Sequence, residues 1–154
     1  MSAQILLVRH ATAGSRAAWP DDDRLRPLDA TGLQQTAWLT DRLADSRARR
    51  VLSSPYLRCM QTVMPVAELL GVAVEACPEL AEGVEAGILE AFISRLRPEP
   101  AACVVCTHGD VAAKLVGAGA ECAKGSLWTL EWRDGGRLVP IRYQPPLQSA
   151  QAAT

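Results

Sequence analysis

Gln4-Ile5-Leu6-Leu7-Val8-Arg9-His10-Ala11-Thr12-Ala13-Gly14, early in a chain of 154 residues, is the stretch on which the fold turns. Its apolar run, Ile5 to Val8, lacks polar alternation, as expected of a central strand covered on both faces; a buried helix segment would read the same way. Gly14, shortly after the run stops, favours the strand. In open α/β sheets ligands gather outside the carboxyl ends of strands, so Arg9 and His10 are expected at the mouth of a crevice, where imidazole beside guanidinium suits anion chemistry. An Arg-His pair alone is usually structural. The chain has two histidines, however, and the second is delivered the same way: Ala102 to Cys106 is another apolar run, ending at Thr107-His108-Gly109.

The length fits one domain, expected over residues 1–146, followed by a polar, alanine-rich tail over 147–154 that is expected to be disordered. With 16 Lys and Arg against 17 Asp and Glu scattered along the chain, no broad basic surface is available for a nucleic acid polymer or a membrane. No apolar run approaches a membrane span and no signal-peptide pattern is visible, so a cytoplasmic location is expected. Five cysteines, an odd set, are expected to be reduced thiols. Cys103 and Cys106 have metal-site spacing, but residues three apart on a strand point to opposite faces, and no metal is expected there.

Taken in order, the segment from Ser15 to Asp29 carries no period and reads as a loop over the strand ends, with Asp21 to Asp23 as a solvated face and Arg24 and Arg26 able to lean toward an anion. A helix follows from Thr31 to Asp45, its stripe made of Gly32, Thr36, Leu39 and Leu43. Arg50 to Ser53 is a second strand, and Ser54-Pro55 reads as the cap and first turn of a helix running to Leu70. Its stripe is Cys59, Thr62, Val63, Val66 and Leu70, which leaves Arg58 off the stripe and free to face the strand ends. A short strand over Val72 to Cys77 leads to the acidic loop Glu79 to Gly83, a helix from Ala86 to Leu96, and then the strand before His108. Alternating Trp128, Leu130 and Trp132, a turn at Asp134-Gly135-Gly136, and Leu138 to Tyr143 read as a terminal hairpin.

With these residues collected, the chain resembles the histidine phosphatase superfamily. The likeness consists of L-V-R-H at Leu7 to His10, S-S-P-x-L-R-x-x-Q-T at Ser53 to Thr62, E-L-A-E at Glu79 to Glu82 and T-H-G at Thr107 to Gly109, in that order. It implies a phosphoglycerate mutase-like α/β fold: a three-layer sandwich with a mainly parallel central sheet and helices on both faces. The resemblance also implies a phosphorylated histidine as intermediate and no metal or other cofactor. Carried over by position, it makes His10 the nucleophile, Arg9, His10, Arg58 and His108 the phosphate pocket, and Glu82 the proton donor, with Glu79 as the rival carboxylate. The chain departs from the mutase pattern after Arg9-His10, where Ala11-Thr12-Ala13-Gly14 stands. It is more similar to the short branch that includes bacterial phosphohistidine phosphatases, through Arg26-Pro27-Leu28 and Gly32. More similar still is the carboxyl-terminal histidine phosphatase module of actinobacterial two-domain Nudix hydrolases, through Arg24 to Asp29, Leu57 to Thr62 and Lys124 to Trp128, although no Nudix motif is present. Arg26 and Lys124 are the candidate substrate-binding residues.

The first function this implies is a metal-independent phosphatase acting on a phosphate monoester or anhydride of a small molecule, such as a nucleotide. A second is a protein phosphohistidine phosphatase in signalling, and a third is a non-catalytic phosphate-binding interaction module. Glu82 favours the first, because a phosphoramidate has a better leaving group and needs a general acid less. The third would require a missing core residue, yet Arg9, His10, Arg58 and His108 are all in place.

Overall fold

Strand and helix alternate through the first four-fifths of the chain, and a hairpin closes it. The computed structural model describes residues 3–147. The strands are β1 (Gln4–Arg9), β2 (Arg50–Ser53), β3 (Val74–Ala76), β4 (Cys103–Thr107), β5 (Leu127–Arg133) and β6 (Arg137–Gln144), and the helices α1 (Ala30–Leu43), α2 (Leu57–Leu70), α3 (Ala86–Ser94) and α4 (Gly109–Val116). They form one six-stranded sheet in the order β3-β2-β4-β1-β5-β6. Strands β1 to β4 are parallel; β5, which follows α4, pairs antiparallel with β1, and β6 pairs antiparallel with β5, as a short hairpin connection requires. The expected tail lies, apart from Leu147, outside the described residues.

Residue parity along the two central strands creates two cores. Ile5, Leu7, Cys103 and Val105 pack with Leu89, Phe92 and Val111 from α3 and α4. Leu6, Val8, Val104 and Cys106 pack on the other face with Leu39, Leu43, Cys59 and Val63 from α1 and α2. Cys103 and Cys106 therefore lie on opposite faces. Full burial of such aliphatic side chains is worth about 1.5–3 kcal/mol each, and this double cover is why β1 and β4 carry no polar alternation. Trp128 and Trp132 pack against the first core, and Trp128 meets Tyr143 across the hairpin with ring centroids 5.0 Å apart.

Two local expectations need correction. Ser54 does not cap α2, which begins at Leu57 after Tyr56, because the Ser54 hydroxyl is committed to His108 Nε2 at 2.8 Å and to the Tyr56 N–H at 3.3 Å. The buried stripe of α2 also includes Arg58 and Ala67, with Leu70 only partly covered. Arg58 is thus a buried residue of the helix, not one standing clear of its packed face.

Candidate active site

β1 and β4 are parallel neighbours paired at Arg9 and Thr107, and the His10 N–H extends the ladder to the Thr107 carbonyl at 3.0 Å. His10 and His108 are thus the next residues out on adjacent strands. They share the parity of Val8 and Cys106, so both imidazoles fall on the α1/α2 side, with ring centroids 5.5 Å apart. Arg9 has the opposite parity and passes to the α4 side. There a Cβ on Gly109 would come within 2.7 Å of the Arg9 guanidinium carbon, so glycine makes room for that side chain.

The loop after β1 is clamped by residues that the motifs had singled out only by resemblance. Thr62 Oγ1 accepts from the Ala11 N–H at 3.0 Å, and Gln61 Oε1 accepts from the Leu28 N–H at 2.9 Å. Asp29 caps α1 through the Gly32 N–H at 2.7 Å and accepts from the Gly14 N–H at 2.9 Å. Gly32 itself sits where a Cβ would be 2.0 Å from the Thr12 carbonyl oxygen, which is why α1 can press onto this loop. The Gly125 N–H donates to the carbonyls of Arg9 (3.1 Å) and His10 (3.0 Å), and this bond carries Lys124 to the site.

A cleft of about 520 Å³ opens here, lined on its polar side by Arg9, His10, Arg16, Arg26, Glu82, His108, Asp110 and Lys124. Six of the eight candidates named from the sequence are in that set. Arg58 lies beneath it, 0% exposed. Its Nη1 donates to the Asp23 carbonyl at 2.8 Å and its Nη2 to the Asp23 carboxylate at 3.0 Å. Glu79, the rival carboxylate, pairs with Arg95 at 3.3 Å and is absent from the lining. Glu82 Oε1 accepts from Arg16 Nη2 at 2.8 Å and stands 3.8 Å from Arg58 Nη2.

Asp23 is the largest departure from expectation. Read as part of a solvated acidic run, it instead gathers three arginines: beyond Arg58, it accepts from Arg26 Nε at 3.0 Å and lies 3.5 Å from Arg16 Nε. Burial pushes its carboxyl pKa up, but the bonds and charges of Arg26 and Arg58 outweigh that and the net shift is downward. Arg26 is itself buried, with a second bond to the Ala13 carbonyl, so it faces the cleft with much of its donor capacity already taken. The i, i+3 spacing of Asp23 and Arg26 was the one sequence signal for this hub, and nothing in it pointed to Arg58.

Protonation states follow from the hydrogen bonds. His10 Nδ1 lies 2.8 Å from the Ala11 carbonyl, which can only accept, so Nδ1 carries the proton and Nε2 keeps its lone pair. Burial, against the opposing pull of the Ala11 bond and with help from the charges of His108, Arg58 and Arg9, lowers the His10 pKa from 6.5 to about 3. The imidazole is neutral at physiological pH. His108 Nε2 lies 2.8 Å from the Ser54 hydroxyl, and in the tautomer where that hydroxyl donates, Nδ1 is a donor. His108 Nδ1, Arg9 Nε and Arg58 Nε are buried without a protein partner. Unpaired buried polar atoms cost about 1–3 kcal/mol each; with Arg9 and His108 lining the cleft beside His10 and Arg58 beneath it, these atoms mark where a ligand belongs. Lys124 shares this field: burial and the charges of Arg9, Arg26 and Arg58 lower its pKa.

Among the described residues no group of three or more His, Cys, Asp or Glu side chains is arranged to hold a metal ion, and no helix is long and apolar enough to cross a membrane.

Comparison with known proteins bears on the family and the fold. The family model described as histidine phosphatase superfamily (branch 1) matches residues 5–99. The chain is 35% identical over 155 residues to a protein of Mycolicibacterium smegmatis named 8-oxo-(d)GTP phosphatase, a match covering 92% of this chain and 48% of that protein. It is 31% identical over 106 residues to the phosphohistidine phosphatase SixA of Escherichia coli, covering 66% of this chain and 64% of SixA. The chain thus spans about half to two-thirds of the curated relatives it matches. The solved structure of the protein histidine phosphatase SixA complexed with tungstate superposes with a TM-score of 0.73 at 23% identity, over 97% of this chain and 99% of that one, which shows a shared fold.

Proposed function

The chain belongs to the histidine phosphatase superfamily, and we propose that within it the chain hydrolyses a phosphate monoester or anhydride of a small molecule through a phosphohistidine on His10. The observation that carries this reading is the neutral imidazole in a cleft shared with Arg9 and His108 and underlain by Arg58, each of which keeps a buried nitrogen without a protein partner. Nε2 of His10 attacks phosphorus in line as the bond to the leaving oxygen breaks, and the guanidinium and imidazole donors meet the charge on the phosphoryl oxygens. Protonated Glu82 gives its proton to the leaving oxygen. As a carboxylate it then takes a proton from water, whose oxygen attacks phosphorus and returns the bonding pair to Nε2. Incoming phosphoryl oxygens compete for Arg16 and Arg58 and release Glu82 toward the leaving group.

Likeness to the mycobacterial 8-oxo-(d)GTP phosphatase supports a nucleotide-like substrate, and the cleft volume is of the size that small ligands occupy. Likeness to SixA supports the second reading, a phosphohistidine protein as substrate. The carboxylate of Glu82 in the cleft favours esters and anhydrides, whose leaving oxygens need a proton more. A cytoplasmic location goes with either reading. The test is a screen of phosphorylated metabolites, nucleoside mono-, di- and triphosphates and one phosphohistidine protein, run with and without EDTA. Turnover of a small phosphate that survives EDTA, with an acid-labile phosphoenzyme lost in His10→Ala, is expected. Turnover confined to the phosphohistidine protein, or restored only by a divalent ion, would overturn it.

A further inference from the structure

Four consecutive residues, Thr107 to Asp110, organise the site from its centre. His108 enters the cleft and Gly109 makes room for Arg9. The flanking two reach across to the loop that carries Glu82. Thr107 Oγ1 donates to the Leu80 carbonyl at 2.6 Å, and Asp110 Oδ2 accepts from the Gly83 N–H at 2.8 Å. These bonds bracket Glu82 by two residues on one side and one on the other. Leu80 is fully buried, so the first anchor is also held by packing. The second has only the carboxylate, and Gly83 needs it: its φ of +81° turns the chain back immediately after Glu82. Arg16, the close partner of the Glu82 carboxylate, is 59% exposed in its side chain and cannot hold the loop in place.

Resting on the assignment of Glu82 as proton donor, we propose that Asp110 is a positioning residue for Glu82, fixing the main chain beside it so that its carboxyl group meets the leaving oxygen. Proton transfer needs donor and acceptor within about 2.6–3.2 Å. A carboxyl group on a loop anchored at one end only spends less of its time in that range. Asp110 is itself well placed to serve as an anchor, because it sits in the first turn of α4, where the helix dipole favours a carboxylate.

The experiment is a rate series across aryl and alkyl phosphates for wild type, Asp110→Ala, Asp110→Asn and Glu82→Gln, with melting temperatures to confirm folding. Asp110→Ala is expected to slow alkyl phosphates by roughly tenfold while changing nitrophenyl phosphate by less than about twofold, since only a basic leaving oxygen needs the proton. Asparagine keeps an oxygen that accepts from the Gly83 N–H, so Asp110→Asn should regain most of the loss. An equal, unselective loss across substrates in Asp110→Ala would overturn the inference. So would an Asp110→Asn profile as steep as that of Asp110→Ala, which would point to the Asp110 carboxyl group as the donor. Glu82→Gln separates the failures: a flat profile there removes the donor assignment itself, whereas a steep one beside a flat Asp110→Ala profile overturns only the role of Asp110. If Asp110→Ala does not fold, Asp110→Val, which likewise has no acceptor for the Gly83 N–H, takes its place and is read in the same way.

Discussion

The floor and the rim of the cleft carry the same kinds of charge in different surroundings. On the floor, Arg58 and His108 are 0% and 1% exposed and His10 5%. At the rim, the side chains of Arg16 and Glu82 are 59% and 33% exposed. Opposite charges at the rim are screened by water and contribute little to stability, whereas on the floor each donor is desolvated and aimed by packing before any ligand arrives. Under the proposed function the difference would divide the work: the floor would bind and activate phosphorus for every substrate, and the rim would discriminate among leaving groups and appended charges. The cost of the floor is met by the scaffold, through two hydrophobic cores and Asp23.

The sharpest way to break that division is His10→Ala. Without the imidazole no covalent route exists, so turnover should fall by about 10⁴-fold or more for aryl and alkyl phosphates alike, with no phosphoenzyme trapped by alkaline quench. A loss confined to one leaving-group class would place His10 with the rim. Arg58→Ala comes next, at about 10²–10³-fold in kcat, again uniform across substrates. Arg58→Lys keeps the charge without the planar fork and should recover only part of this, as steady-state kinetics on the same series will show.

Neighbouring acids in the loop sharpen the comparison further. Asp22 pairs with Arg24 in solvent, and the hydrogen bonds from Arg24 lower its pKa to about 2, while Asp23 pairs with buried Arg58. Asp23→Ala removes the nearer carboxylate from that guanidinium, leaving only Glu82 at 3.8 Å, and should cost roughly 2–4 kcal/mol in denaturant unfolding and about tenfold in kcat/KM. Asp22→Ala, which loses an exposed ion pair and a cap on a single turn, should change both measurements far less.

Acid provides a fourth measurement. The folded chain holds His10 neutral down to about pH 3, while the unfolded chain takes up that proton near pH 6.5. Below 6.5 the unfolded state therefore binds more protons. This component of stability is complete above pH 6.5 and is lost as pH falls toward 3, at up to about 1.4 kcal/mol per unit. His10→Asn should remove it, and unfolding curves from pH 7.5 to 4 that are parallel for the two proteins would show His10 to be less buried than described. The smallest effect is expected at Lys124. Its alanine variant should raise KM by about three- to tenfold for substrates with a second phosphate, leave monophosphates unchanged and lose its effect at high salt.

Much of this was legible without coordinates, for reasons that are local. Ile5 to Val8 and Ala102 to Cys106 announce buried strands because each residue is apolar, and the Asp134-Gly135-Gly136 turn announces the hairpin through backbone preferences carried by single residues. The order of strands and helices, the position of both histidines just past a strand, and the motifs that named the superfamily all follow from neighbours along the chain. What remained for tertiary structure is contact between distant segments. The choice of β4 as the neighbour of β1, in the register that pairs Arg9 with Thr107, sets His10 beside His108 on one face. Nothing in the acidic run told Asp23 from Asp22, because what separates them is Arg58, 35 residues further on. Glu82 and Glu79 differ by one turn of loop, and only packing against β4 and α4, 27 residues away through the Leu80 and Gly83 anchors, sends one into the cleft and the other to Arg95. Hydrophobic periodicity reports which side of an element is buried, but a charged side chain's partner is decided by where whole elements come to rest, and that is a property of the packed sheet.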